Sequence, residues 1–153
     1  MGEEKPVPPH AAADVTEHVG YRLKRAAAAL RSAMDQVLRE YGLTVPQYSC
    51  LELLDEQPGI SGSDLARSTF VTRQSSAVVL RGLQEAGLVA RPAAAEHGRA
   101  LPVHLTAAGL AKLEAARGAV YAVERRMIGA IPNHRMEALL GDLDRMAAAL
   151  GES

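Results

Sequence analysis

In the stretch Val71 to Leu83, VTRQSSAVVLRGL, an arginine and a glutamine stand side by side at the start of a helical pattern. Their chemistry is specific. The planar fork of Arg73 matches the O6 and N7 acceptors of guanine, and the carboxamide of Gln74 matches N6 and N7 of adenine. Thr72, Ser75 and Ser76 carry hydroxyls suited to phosphate oxygens. Free backbone N–H groups at a helix start also favour an anion. The second half of the stretch holds Val78, Val79, Leu80 and Leu83, enough for a buried face, with Val79, Leu80 and Leu83 as its anchor. A helix that enters a DNA major groove end-on needs this division, polar at the tip and anchored behind.

Charge points to the same region. Over the whole chain 17 Lys and Arg face 18 Asp and Glu, so bulk charge gives no reason to expect a nucleic-acid partner. Residues 59–105, however, carry five arginines (Arg67, Arg73, Arg81, Arg91, Arg99) against three acids, and no lysine. Arg99, in the segment EHGRAL, is placed to insert into a minor groove, whose potential attracts arginine. Arg81 and Arg91 are candidates for backbone phosphate, as are Ser61 and Ser63 at the start of the preceding short helix. Capping alone would also account for Ser61.

Other chemistries find little support. The single cysteine, Cys50, leaves no internal disulfide and no multi-cysteine zinc site. His10, His18, His97, His104 and His134 are scattered without ligand spacing. There is no Gly-rich phosphate loop and no set of nucleophile, base and carboxylate in a sensible context. The expectation is a protein without catalytic residues, metal or cofactor. No apolar run reaches the length of a membrane span, and the polar, Pro-rich start MGEEKPVPPHAAAD does not resemble a signal peptide, so a cytoplasmic protein is expected.

The elements that must position these side chains follow from pattern and punctuation. Residues 1–13 are expected to form a flexible arm. Val15, Val19, Leu23, Ala26, Leu30, Met34, Val37 and Tyr41 recur at helical spacing, giving a long first helix that Gly42 stops. Thr44 and Gln47 make a capping box for a second helix, with Pro46 in its first turn and Pro58-Gly59 at its end. Ser61 caps a short third helix, and Thr72 caps a fourth that stops at Gly87. Leu88 to Arg91 and Ala100 to Leu105 pattern as a hairpin, with Pro102 confined to a strand edge. Thr106 caps a fifth helix to about Ile131, Pro132-Asn133 breaks it, and Asn133 caps a sixth to Leu150. The order is that of a mainly α winged helix-turn-helix: about six helices with a two-stranded β-hairpin wing.

The segments LTVPQYSCLELL, SGSDLARSTFVTRQSSAVVLRGLQEAGLVAR and HGRALPVHLTAAG, in this order and spacing, resemble the MarR family of winged-helix regulators. The resemblance runs from about Asp14 to Leu150. It implies a homodimer intertwined through its first and last two helices, so that 14–43 and 106–150 would form a helical dimerisation region and 44–105 the DNA-binding domain. It further implies a double-stranded, pseudo-palindromic operator, repression of transcription, and release by a small, often phenolic, ligand. The family's wing arginine falls on Arg99 and its recognition-helix contacts on Thr72 to Ser76. Where the family often has an aspartate before the wing's Gly-Arg, this chain has His97.

A pocket for such a ligand, between the first, second and fifth helices, would draw on Tyr21, Arg22, Tyr48 or Tyr121. Two other functions stay open at this level. One is a winged helix that only binds protein. The other is a regulator that senses oxidants through Cys50.

Overall fold

The computed structural model describes residues 14–69, 72–91 and 102–151, Arg73 as backbone only. A short 3₁₀ turn, Val15–Glu17, precedes α1 (Val19–Arg39), followed by α2 (Val45–Glu56), α3 (Gly62–Ser68) and α4 (Arg73–Glu85). Two short strands come next, β1 (Val89–Ala90) and β2 (His104–Leu105), then α5 (Ala107–Ile128) and α6 (Asn133–Ala149). The strands pair antiparallel, Val89 opposite Leu105 and Ala90 opposite His104. Pro102 does sit at an edge, in an isolated bridge with Ser61 that ties the hairpin to the start of α3.

Local chemistry explains most boundaries. Thr44 and Gln47 close the capping box on α2, each side chain bonded to the other's backbone N–H. Ser61, Thr72 and Thr106 accept from the backbone N–H groups of Asp64, Ser75 and Gly109. Such caps stabilise a helix by about 1 kcal/mol each. Gly42 and Gly87 adopt positive φ, 67° and 74°, and end α1 and α4 in the same way. The N–H of Leu43 then reaches back to the carbonyl of Leu38, and that of Leu88 to Leu83, placing all four leucines in the core.

Two expected boundaries are corrected. The first helix is not one rod from Asp14. His18 is extended (ψ 136°) and separates the 3₁₀ turn from α1, while Asp14 caps the turn and the Arg22 guanidinium donates to the Thr16 carbonyl at 2.7 Å. The apolar rhythm runs through the break because Val15 and Val19 lie four apart in either case. Asn133 is the first residue of α6, not its cap. Pro132, fixed near φ −58° with ψ 136°, occupies the cap, and its carbonyl accepts from the Arg135 N–H.

A single core is built from the C-terminal end of α1 (Leu38), α2 (Tyr48, Cys50, Leu51, Leu54), α3 and α4 (Leu65, Leu80, Leu83), the hairpin base (Val89, Val103) and the first half of α5 (Leu113, Ala116, Val120). It therefore crosses the boundaries at 43/44 and 105/106 that divide the sequence by role. Arg117 of α5 reinforces the join, bridging Glu52 and Asp55 of α2. The other ends of the long helices are bare. α6 buries no residue, and Leu139, Leu140, Leu143 and Met146 are exposed along it, as is Leu150 just past its end. Val19, Tyr21 and Leu23 at the start of α1, and Met127 and Ile128 at the end of α5, are exposed too. None of the helices among the described residues is long and apolar enough to cross a membrane.

Candidate nucleic-acid interface

Helix α4 carries most of the candidates. Its inner face is Ser76, Val79, Leu80 and Leu83, residues three and four apart. Leu80 and Leu83 are buried and anchor the helix, with Val79 half-buried against them. Its outer face is Gln74, Ala77, Val78 and Arg81, all exposed. Arg73 opens the helix as its first residue. Thr72 and Ser75 are exposed at the tip and tied to each other: the Thr72 hydroxyl accepts from the Ser75 N–H at 3.1 Å and donates to the Ser75 hydroxyl at 2.9 Å.

Two sequence expectations on this helix are overturned. Ser76, expected at phosphate, is only 5% exposed and lies on the inner face with Leu80 and Leu83. It is removed from the set available to a ligand. Val78, expected in the buried face, is 62% exposed. Both errors have one cause. The 3.6-residue period puts Val78 about 160° from Ser76 and about 140° from Leu83, but within about 60° of Gln74 and Arg81.

The other candidates gather at the hairpin base. Ser61 caps α3, accepting from the Asp64 N–H and donating to its carboxylate at 2.9 Å, so its hydroxyl is engaged in structure. Ser63 is exposed two residues on, and Arg67, also exposed, pairs with Asp64. Arg91 is exposed at the end of β1, its guanidinium so close over Gly62 that a Cβ there would lie 2.7 Å from it. Ser61, Gly62, Arg91 and Pro102 thus meet in one place. Arg99 and His97 lie outside the described residues.

The four residues proposed around a ligand differ in their surroundings. Tyr48 is 2% exposed and donates to Glu52 at 2.7 Å; burial first, then that carboxylate, push its phenol well above its ordinary range. Arg22 is bonded to the Thr16 carbonyl. Tyr21 and Tyr121 are on the surface. None of the four lines the apolar cleft of about 250 Å³ between α1 and α5, formed by Ala26, Ala29, Leu30, Ala33, Val123, Arg126 and Met127. Among the described residues no group of three or more His, Cys, Asp or Glu is placed to hold a metal ion.

Cys50 is 2% exposed, and desolvation pushes its thiol up to about 12. Since the thiolate is the reactive form, the geometry argues against an oxidant sensor at this position. The expected result with a thiol reagent such as Ellman's is no labelling of the native protein at pH 8 and one thiol per chain in denaturant. Prompt labelling of the native chain would reverse this reading.

Comparison with known proteins places the geometry. Residues 41–100 match the model of the MarR family. The HTH-type transcriptional repressor Rv2887 of Mycobacterium tuberculosis is 44% identical over 110 residues, 72% of this chain and 79% of the repressor. The structure of Rv2887 in complex with DNA superposes with a TM-score of 0.67 at 36% identity, over 88% of this chain and 98% of that one. Rv2887 has also been solved with salicylic acid (TM-score 0.65, 39% identity, 88% and 96% covered). The transcriptional repressor CouR, bound to a 23-mer DNA duplex, gives a TM-score of 0.80 at 29% identity, over 88% and 96% of the two chains.

Proposed function

Because this chain belongs to the MarR family, we propose that it is a homodimeric transcriptional repressor that binds a pseudo-palindromic DNA operator and is released by a small molecule. The observation that carries the reading is α4: a helix anchored by Leu80 and Leu83 that turns Gln74 and Arg81 outward and begins with a capped, hydroxyl-rich tip. Such a helix can lie in a major groove with its first turns at the base edges. The relatives solved with DNA and with salicylic acid support both halves of the proposal.

The proposed roles follow the geometry. Arg73 and Gln74 read bases. Thr72, Ser75, Arg81, Arg91 and Ser63 contact backbone phosphate, and Ser61 acts through its cap. Arg99 enters the minor groove from the wing. The bare helices of 14–43 and 106–150 pair with a second copy and the segment 44–105 carries the reading surface, while residues 1–13, expected as an arm, lie outside the described residues. A regulator of this kind works in the cytoplasm and needs no catalytic residue.

Selection of sites from a random duplex pool, then affinity across a salt series, tests the proposal. An inverted repeat with half-site centres about one helical turn apart is the expected outcome. Log affinity should fall with log salt by about 0.9 per phosphate contact. Salicylate added to the complex should weaken it. Absence of binding at any salt would shift the reading to a protein-interaction module. On the selected site, Arg73→Ala should lose about 1–3 kcal/mol of binding and relax preference at one base position per half-site. Arg99→Ala should weaken binding with a smaller change in preference, and unchanged affinity in both variants would refute these roles.

A further inference from the structure

The exposed valine of α4 is unusual for where it stands. The other large hydrophobics exposed among the described residues lie on the 3₁₀ turn, α1, α5, α6 or just past its end; among the described residues between Val45 and Arg91, Val78 stands alone at 62%. It is therefore not part of the bare faces that a second copy would cover. A single exposed apolar side chain is in itself ordinary. This one is also β-branched, so it holds its helix less well than alanine would, with no burial to offset the loss. It sits at the centre of the outward stripe, Gln74 one turn before it, Arg81 about one turn after it and Ala77 beside it.

Only one base carries a methyl group on its major-groove edge: thymine, at C5. Extending the proposed DNA reading, on which it rests, we infer that Val78, flanked by Ala77, packs on a thymine methyl in each half-site and selects thymine there. The helix then reads three neighbouring features with three kinds of chemistry: hydrogen bonds from Gln74, methyl packing from Val78, and charge from Arg81. Val78 forms no hydrogen bond to the base, so it distinguishes thymine from uracil, which differs from it only by the methyl. Burying one methyl predicts a preference of roughly three- to fivefold.

The test replaces each thymine of the selected operator in turn by deoxyuridine and measures affinity for the wild-type chain and for Val78→Ala. One uracil position per half-site should weaken wild-type binding roughly three- to fivefold. Val78→Ala should bind the thymine operator more weakly by a similar factor and show no further loss with uracil at that position, the signature of a coupled pair. Its thermal stability should match or slightly exceed the wild type, because the side chain supports no core and alanine is the better helix former. A flat uracil scan in the wild type, or a uracil penalty that survives intact in Val78→Ala, would overturn the inference while leaving operator binding standing. Failure to select any operator would remove both this inference and the proposed function beneath it.

Discussion

Replacing Gly109 by alanine should destabilise the protein by about 3 kcal/mol or more, although alanine in a helix normally stabilises by up to about 1 kcal/mol relative to glycine. Gly109 lies in the first turn of α5, buried against the hairpin base. A Cβ there would lie 2.0 Å from the backbone carbonyl oxygen of Leu88 and 2.9 Å from the Leu105 side chain. A backbone oxygen cannot swing aside as a side chain does. Either α5 or β1 must shift, and β1 is held on that side by the Thr106 N–H donating to Leu88 and the Thr106 hydroxyl donating to Gly87. For a chain of this length the melting temperature should fall by about 6–12 °C. Gly118 provides the control. It sits in the same helix with no atom of a neighbouring element within 4 Å of its ideal Cβ, so Gly118→Ala should leave stability unchanged or raise it. Equal melting temperatures for the two variants, at one protein concentration, would show that the helix and the hairpin can separate without penalty.

Removing residues 133–153 should convert a dimer into a monomer and lower operator affinity by a factor of about 10² to 10⁴. The factor comes from linkage. When two reading helices are joined, the second half-site is bound at a high effective concentration, and separate monomers lose that advantage. α6 buries nothing against its own chain, while Leu139, Leu140, Leu143 and Met146 face outward at helical spacing. The core formed by α1 to α5 does not use α6, so the truncated chain should fold and melt cooperatively. Sedimentation of the full and truncated chains reads the result directly. A truncated chain that still sediments as a dimer would place the interface on α1 and α5 alone.

Much of this molecule is written in short-range chemistry. Helix starts at Thr44, Ser61, Thr72 and Thr106, and stops at Gly42 and Gly87, depend on a side chain and a backbone group at most a few residues apart. The same locality fails at two ends. At His18 the apolar rhythm continues across a break in the backbone, and at Pro132 the ring fixes the cap geometry that the neighbouring Asn133 was expected to supply.

The assignment of faces on α4 shows the limit more sharply. Its composition, polar tip and apolar tail, suggested a reader, but composition does not say which valine is inside. The spacing of Ser76, Leu80 and Leu83 carried that information, and only packing against α2 and α3 made it decisive. A serine went in because the inner stripe passes through position 76, and Val78 went out because it lies on the side of Gln74 and Arg81. The tyrosines expected around a ligand differ for another reason. Tyr48 and Tyr121 looked alike as aromatic residues in helical stripes. Tyr48 is sealed against Glu52, which Arg117 approaches from 65 residues away, a relation that no local pattern contains.

The element order, the caps and stops, the winged helix-turn-helix and the arginine excess around its reading helix are legible in the sequence, because each rests on residue type at short separation. Packing settled which side of each helix is buried, that one core runs from α1 to α5 across the expected boundaries, that Cys50 is enclosed, and that Gly109 has no room for a side chain. Those outcomes depend on what other segments of the chain bring within a few ångströms, and only the packed fold fixes that.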